Sequence, residues 1–299
     1  MADIGFVDRV AIVTGAGGGL GRTYALELAA RGASVVVNDL GGSAAGVGSD
    51  ASAAQRVVDE ITGNGGAAVA SHDSVSTPEG GQAIVSTALD AFGRVDVVIN
   101  NAGILRDKTF AKLADEDLDA VLDVHLKGAF HVTRPAFRVM KENNYGRIVF
   151  TASNAGVLGN FGQTNYGAAK MGLAGLNNVL ALEGAKNNIR SNVICPIART
   201  RLTEELLGPL ADSLDPELVT PMVIYLASEA CEHTHEIFSA GGGRFARMFV
   251  GLTPGWFAGK GTAVSAEDVA AHLDAIRAQD GYIVPTSVTD ELGALLPLL

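Results

Sequence analysis

Residues 9–21 read RVAIVTGAGGGLG, a short β-rich run that leads into a cluster of glycines. A helical pattern follows from Arg22 to Arg31. The glycines Gly15, Gly19 and Gly21 have the spacing T-G-x-x-x-G-x-G. Small residues at such a turn let the backbone approach a phosphate group, and the helix N-terminus attracts its charge. We therefore predict a dinucleotide-binding βα unit; the alternative is a plain glycine-rich turn.

The second predicted strand, Ala33–Val37, is soon followed by an acidic residue, Asp39, eighteen residues beyond Gly21. A carboxylate at about this position accepts a hydrogen bond from a ribose 2′-hydroxyl and repels a 2′-phosphate. No basic residue stands at Gly18 or Leu40 to receive such a phosphate. The sequence therefore favours NAD over NADP, with a simple turn-forming role for Asp39 as the alternative.

Strands and helices alternate along the rest of the chain. Further strands are predicted at Ala67–Ser71, Val95–Ile99, Arg147–Thr151, Ile189–Cys195 and Glu236–Ser239. Helices are predicted to end near Gly63 and to cover Pro78–Phe92, Asp115–Asn143, the region of Tyr166 and Pro216–Ser228. This alternation predicts an α/β fold, a Rossmann-type doubly wound parallel sheet of about seven strands with helices on both faces.

The last sixty residues differ in pattern. Three glycines, Gly241–Gly243, lead to an alternating run, Arg244–Val250, that can pair as a hairpin, and a helix is predicted over Ser265–Ala278. We interpret residues 1–299 as one domain with a core over about 6–240 and a C-terminal extension over about 241–299 that helps to shape a substrate pocket.

Small and polar residues follow the predicted strands, where doubly wound sheets bind their cofactors. Asn101, Ala102 and Gly103 come after the fourth strand, and Asp73 comes after the third. Asp73 either accepts a hydrogen bond from an adenine amino group or serves as a cap or turn residue. The loop of small residues over 41–52 either covers the adenosine side of the site or is mobile.

Ser153, Tyr166 and Lys170 are the candidate catalytic residues. Tyr166 and Lys170 are four residues apart, which places both side chains on one face of a helix. A phenol normally has a pKa near ~10, and a nearby cation lowers it. Ser153, just after the fifth predicted strand, can hydrogen-bond the oxygen that Tyr166 protonates. The pattern predicts acid/base chemistry on an alcohol or carbonyl, against the alternative of an ordinary solvated Tyr–Lys pair.

Composition excludes several other classes. The net charge of −11 argues against a nucleic-acid partner, because phosphate binding of that kind needs a basic patch. Cys195 and Cys231 are too few for a disulfide framework, and the nearby His233 and His235 lack a metal-ligand spacing, so no metal is expected. We find no signal segment and no apolar run that could span a membrane, and we expect a cytoplasmic protein.

These motifs, in this order, resemble those of the short-chain dehydrogenase/reductase family over about residues 6–240. The resemblance rests on T-G-x-x-x-G-x-G, Asp39, the run N-N-A-G, Ser153 and Y-x-x-x-K. Within the family, the chain looks like the branch of (3R)-hydroxyacyl-CoA dehydrogenases in the peroxisomal multifunctional enzymes of type 2, also described as 17β-hydroxysteroid dehydrogenases type 4. That narrower resemblance is carried by residues 36–42, 101–107, 124–128 and 159–163.

The resemblance implies a role for each matching residue. Tyr166 is the acid/base, Lys170 lowers its pKa and binds ribose, and Ser153 holds the substrate oxygen. His125 stands where the wider family has the asparagine of its catalytic tetrad, as it does in the hydroxyacyl-CoA branch. The residues implied to hold the cofactor are Gly15, Gly19, Leu20 and Gly21 at the pyrophosphate, Asp39 at the ribose, Asp73 and Ser74 at the adenine, Asn101, Ala102 and Gly103 at the middle, and Pro196, Ala198 and Thr200 over the nicotinamide.

The resemblance also implies a reaction and a partner. We expect NAD-dependent oxidation of a secondary alcohol, with a (3R)-hydroxyacyl-CoA as substrate, in which the acyl part is bulky and can be a steroid side chain. The alternatives are a 17β-hydroxysteroid dehydrogenase that acts on free steroids and a catalytically inactive NAD-binding regulatory protein. Members of the family commonly pair through the helices that carry His125 and Tyr166, which implies a homodimer or homotetramer.

Overall fold

The computed structural model describes residues 4–204 and 208–299. The polar segment 201–215 follows the sixth predicted strand and is expected from the sequence to help shape a substrate pocket; its residues 205–207 lie outside the described residues. The chain divides into two compact units, Met1–Arg247 and Met248–Leu299. Among the described residues, no helix is both long and apolar enough to cross a membrane.

The first unit is built on an eight-stranded sheet in the order β3-β2-β1-β4-β5-β6-β7-β8. The strands are β1 Val10–Thr14, β2 Ser34–Asn38, β3 Ala67–Ser71, β4 Val97–Asn100, β5 Gly146–Thr151, β6 Ile189–Pro196, β7 Ile237–Gly241 and β8 Arg244–Met248. Strands β1 to β7 pair in parallel. The two residues between β7 and β8 are too few for a crossover, so these strands form the predicted hairpin.

The helices of this unit connect the parallel strands. They are α1 Gly19–Ala30, α2 Ser52–Gly63, α3 Pro78–Phe92, α4 Asp115–Leu122, α5 Gly128–Asn143, α6 Asn154–Leu158, α7 Thr164–Gly184 and α8 Thr220–Ala227. Every residue of β1, β4 and β5 is buried, so both faces of the central sheet are covered. The predicted doubly wound α/β fold is confirmed. Because the strand order reverses between β1 and β4, the crevice at their carboxyl ends is the expected ligand site.

Helix α3 matches its predicted bounds because the sequence marks both ends. The Thr77 hydroxyl caps the helix by accepting a hydrogen bond from the Gly80 amide, and Pro78 occupies the first turn. Gly93 ends the helix in the left-handed conformation with φ of 76°.

The segment predicted as a helix, Asp115–Asn143, is helical between those bounds but is not a single regular α-helix. A π-helical turn, Asp123–Lys127, separates α4 from α5, and His125 lies in the middle of that turn. π-helical turns frequently occur at functional sites. The predicted helix Pro216–Ser228 is likewise shorter: a 3₁₀ turn over Pro216–Leu218 precedes α8.

The second unit contains α9 Ala266–Ala271, α10 Leu273–Arg277 and α11 Val288–Leu295. The prediction of one helix over Ser265–Ala278 is therefore wrong, because the chain departs from helical geometry at His272. The His272 ring stacks on Trp256 with 3.9 Å between ring centroids.

Candidate active site

A cavity of about 570 Å³ lies at the carboxyl ends of the central strands. It is lined by all the predicted catalytic residues and by all but one of the predicted cofactor residues. Those that line it are His125, Ser153, Tyr166, Lys170, Gly15, Gly19, Leu20, Asp39, Asp73, Ser74, Asn101, Ala102, Gly103, Pro196, Ala198 and Thr200. Residues that the sequence places up to 185 positions apart thus meet around one space.

The glycine turn between β1 and α1 requires glycine for two different reasons. Gly15 has φ of 63°, and a Cβ there would lie 2.7 Å from the Cα of Ala102. Gly21 is the predicted residue that does not line the cavity. A Cβ on Gly21 would lie 2.2 Å from the Gly15 carbonyl oxygen. Gly21 therefore allows α1 to pack against the turn and does not itself line the cavity.

The Asp39 carboxylate joins the glycine turn to the loop after β2. Its Oδ2 accepts a hydrogen bond from the Gly17 amide at 2.7 Å, and its Oδ1 accepts one from the Gly41 amide at 2.7 Å. These bonds fix the carboxylate at the cavity wall, and each oxygen keeps a lone pair for a further donor.

Asn101 and Thr14 bind the glycine turn to the end of β4. The Asn101 side-chain amide donates to the carbonyl oxygens of Thr14 and Gly15, each at 3.1 Å. The Thr14 hydroxyl accepts from the amides of Asn101 and Ala102 at 3.0 and 3.1 Å. The Asn101 amide thus holds the wall of the cavity in place, a function that the sequence analysis did not assign to it.

The loop over 41–52 has a defined conformation at the cavity. Gly42, Ser43, Ala44 and Gly46 line it. Backbone hydrogen bonds fix the loop, including one from the Leu105 amide to the Ala44 carbonyl at 2.9 Å. The loop therefore lines one side of the cavity, as the first of the two alternatives left open by the sequence requires.

Tyr166, Lys170 and Ser153 converge from α7 and the end of β5. The Lys170 ammonium lies 5.4 Å from the centroid of the Tyr166 ring and donates a 2.5 Å hydrogen bond to the carbonyl of Thr151. Ser153 is the N-cap of α6, and its hydroxyl accepts from the Ala155 amide at 3.1 Å. The three groups are therefore positioned by regular secondary structure.

Burial controls the titration of these groups. It raises the pKa of Tyr166 to about 12, an effect that a hydrogen bond with the Ser153 side chain opposes and that the charge of Asp107 reinforces. Burial lowers the pKa of Lys170 to about 7. The predicted lowering of the Tyr166 pKa is therefore wrong for the cofactor-free chain, because desolvation of the phenolate is the largest effect on this pKa.

His125 is buried beside the reacting groups. Its ring stands edge-on to that of Tyr166 with 5.2 Å between centroids, and its Nε2 lies within hydrogen-bond distance of the amide and carbonyl of Ile104, at 3.0 and 2.7 Å. Burial, and then the charge of Lys170, hold the pKa of His125 well below its usual value, so the ring is neutral at neutral pH. A Cβ on Gly103 would lie 2.4 Å from the His125 ring, so glycine at that position makes room for the imidazole.

Comparison with known proteins identifies the family. A family model described as a short chain dehydrogenase matches residues 9–207. A Mycobacterium tuberculosis protein named as a short-chain type dehydrogenase/reductase is 55% identical over 245 residues, which cover 82% of this chain and 86% of the relative. The chain belongs to the short-chain dehydrogenase family. Because its relatives are named dehydrogenases and reductases, this short-chain dehydrogenase is an oxidoreductase.

Other relatives are larger proteins. The peroxisomal multifunctional enzyme type 2 of Mus musculus is 54% identical over 244 residues, which cover 81% of the short-chain dehydrogenase described here but 33% of the mouse enzyme. The solved structure of the full-length peroxisomal multifunctional enzyme type 2 from Drosophila melanogaster superimposes with a TM-score of 0.83 and 39% identity, covering 99% of this chain and 50% of that one. The short-chain dehydrogenase thus spans a third to a half of these enzymes.

Sequence reasoning missed two polar residues that line the cavity and a third that contacts one of them. Asn160 and Gln163 line it, and Asp107 accepts a 2.6 Å hydrogen bond from the Gln163 side chain. All three stand in motifs that carried the family resemblance, but those motifs suggested no role for them. The signal in the sequence that could have identified Gln163 is its position, because its amide side chain stands three residues before Tyr166, the candidate acid/base.

Proposed function

We propose that this short-chain dehydrogenase oxidises a (3R)-hydroxyacyl-CoA to the 3-oxoacyl-CoA and uses NAD as the hydride acceptor. The observation that carries the proposal is the meeting of Ser153, Tyr166 and Lys170 in one cavity with the glycine turn and Asp39. An acid/base group and a dinucleotide-binding wall on the same space fit hydride transfer at a carbon that bears an oxygen.

The residues present fit a nicotinamide dinucleotide. The cavity has a volume within the range of about 300–1,000 Å³ that is usual for ligand sites. The backbone of the glycine turn opens onto it at the N-terminus of α1, where a pyrophosphate is favoured. The fixed Asp39 carboxylate supports NAD over NADP, because it can accept from a 2′-hydroxyl and would repel a 2′-phosphate. When bound, the cofactor supplies the hydride-accepting ring.

Tyr166, Ser153 and Lys170 handle the proton. The Ser153 hydroxyl and the Tyr166 phenol hold the substrate oxygen, and the phenolate removes its proton as the carbon loses hydride. The charge of Lys170 favours that phenolate, and burial opposes it. In the reverse direction the protonated phenol, the form that burial favours at neutral pH, gives its proton to the carbonyl oxygen.

The acyl-CoA substrate is supported by the relatives. Several are named as peroxisomal multifunctional enzymes or hydratase-dehydrogenase-epimerases, and a relative in Synechocystis at 38% identity is named a 3-oxoacyl-[acyl-carrier-protein] reductase. The name of the Synechocystis relative specifies a 3-oxoacyl thioester, which is the chemical class of the product in the proposed reaction.

We also propose that two or four copies associate through α5 and α7. Both helices present exposed apolar side chains, with Phe130 on α5 and Met171, Val179 and Leu182 on α7. Association would cover these side chains. The cytoplasmic location expected from the sequence stays a prediction.

The test is initial-rate formation of NADH or NADPH, with NAD⁺ and NADP⁺ in parallel. The substrate panel holds (3R)- and (3S)-hydroxyacyl-CoAs of short, long and sterol-derived chains, together with free 17β-hydroxysteroids. Turnover of an R-hydroxyacyl-CoA with NAD⁺ and little turnover of the free steroid is expected. Equal or faster turnover of the free steroid would contradict the acyl-CoA assignment, and NAD binding without turnover of any alcohol would indicate a binding protein.

A further inference from the structure

Three side chains form a hydrogen-bonded chain at the wall of the cavity. The Asn160 amide donates to the Gln163 Oε1 at 2.9 Å, and the Gln163 Nε2 donates to the Asp107 Oδ2 at 2.6 Å. A parallel β-bridge between Lys108 and Gln163 holds the two backbone segments together. We call these three residues, Asp107, Asn160 and Gln163, the amide relay.

The carboxylate fixes the orientation of the Gln163 amide. An ionised carboxylate only accepts hydrogen bonds, so the nitrogen of the amide must face Asp107 and the oxygen must face Asn160. One N–H of Gln163 is then bound to Asp107, and the second N–H remains for another acceptor. Gln163 is buried and lines the same cavity as Tyr166, three residues further along the chain.

The burial of the Asp107 carboxylate is energetically unfavourable, which is unusual for a residue without a function. Its Oδ1 is buried and has no hydrogen-bond partner in the part of the chain that the structure describes. A buried carboxylate oxygen without a donor is destabilising, and such groups call for an explanation. The charge-assisted hydrogen bond to Asp107 holds the Gln163 side chain in one orientation, and a positioning role of this kind supplies that explanation.

We propose that the second N–H of Gln163 donates to the thioester carbonyl oxygen of the substrate, and that Asp107 is the positioning residue that orients the Gln163 amide. The inference rests on the proposed function and deepens it. In a 3-hydroxyacyl thioester the carbonyl lies two carbons from the hydroxyl that Ser153 and Tyr166 hold. Gln163 thus makes the site specific for β-oxygenated acyl groups.

The experiment compares two substrates that differ only in this carbonyl. One is a (3R)-hydroxyacyl-CoA, and the other is its thioether analogue, in which a CH₂ group replaces the thioester carbonyl. The wild-type kcat/KM for the thioester should exceed that for the thioether by roughly ten- to a hundredfold, the value of one hydrogen bond whose loss leaves a buried donor unpaired. In Gln163→Met, which keeps the length of the side chain, this ratio should fall towards one while the thioether rate is retained.

Asp107→Asn should reduce the same ratio in part, again with little change on the thioether. Gln82→Met, on the exposed face of α3, is the matched control and should leave both rates unchanged. An unchanged ratio in Gln163→Met, or an equal loss on both substrates, would overturn the proposal, because Gln163 would then only shape the cavity.

A second measurement separates this inference from the proposed function. Absence of thioester turnover in the wild type, with turnover of other secondary alcohols, would refute the proposed function. Calorimetric titration with a 3-oxoacyl-CoA in the presence of NAD⁺ then decides the role of Gln163. Weaker binding to Gln163→Met than to the wild type supports the contact, and equal binding refutes it.

Discussion

Replacing Lys170 by methionine should stabilise the cofactor-free protein at neutral pH while abolishing activity. Burial lowers the pKa of this lysine from 10.5 to about 7 in the folded chain. Folding at pH 7.5 therefore requires loss of a proton that the unfolded lysine keeps, at a cost of about 4 kcal/mol for three pH units. A methionine side chain avoids that cost but leaves the Thr151 carbonyl without its donor, which offsets about 1–3 kcal/mol.

The sign of the pH dependence follows from proton binding. The pKa of Lys170 is about 7 in the folded state and 10.5 in the unfolded state. At a pH between these two values the unfolded state binds more protons than the folded state, so the free energy of unfolding of the wild type increases as the pH rises. The gain should be about 2 kcal/mol between pH 7.5 and 9. The Lys170→Met variant should lack this gain, so its advantage of about 1–3 kcal/mol at pH 7.5 should shrink to near zero by pH 9.

Urea denaturation at pH 7.5, 8.25 and 9, without cofactor and at one protein concentration, measures this difference. The pH range avoids the titration of His125, which lies below it. Lys186→Met, at an exposed position, controls for the loss of one positive charge. If the free energies of unfolding of wild type and Lys170→Met change in parallel with pH, Lys170 keeps its ordinary charge in the folded chain and the reasoning fails.

Three further predictions concern the site. Tyr166→Phe should retain NAD affinity and lower kcat by about a hundred- to ten-thousandfold through loss of the acid/base; substantial retained turnover would show that the base is misassigned. Asp39→Asn should lower kcat/KM with NAD⁺ by about tenfold or more and raise that with NADP⁺, because a charged acceptor for a 2′-hydroxyl is lost; an unchanged ratio of the two cofactors in steady-state assays would count against the role of Asp39. His125 is neutral in the folded state, whereas an unfolded histidine takes up a proton below about pH 6.5. The wild type should therefore lose about 1.4 kcal/mol of stability per pH unit below that pH, relative to His125→Asn. Urea denaturation from pH 6.5 to 5 tests this; equal dependence of the free energy of unfolding on pH in both proteins would place a charged ring in the folded state.

The fold could be predicted because its signals are local. Buried parallel strands give continuous apolar runs, and α3 carries a threonine cap at one end and Gly93 at the other. The π-helical turn could not be predicted, because the apolar residues Leu118, Val121, Leu122 and Leu126 also fit an uninterrupted helix. The turn accompanies the packing of His125 against the backbone of Ile104, twenty-one residues earlier, which no local pattern encodes.

Some features of the candidate site could likewise be predicted from the sequence, and others could not. The convergence of Ser153, Tyr166 and Lys170 followed from the spacing and from the resemblance. The direction of the Tyr166 pKa shift did not, because spacing shows that a cation is near but not how far water is excluded. The pairing of Asp107 with Gln163 joins residues 56 positions apart across two loops, and only the folded chain brings them together.

The π-helical turn between α4 and α5 has a consequence for how the chain can vary in length. Such a turn is equivalent to one residue inserted into an α-helix, and each residue of a helix rotates its successors by about 100°. Val121 before the turn and Ala136 after it are both fully buried. Removal of one residue from 123–127 would turn one of these two faces towards water, even though no side chain at the cavity had been replaced. Functional relatives should therefore show amino-acid substitutions in this segment but no deletions of a single residue.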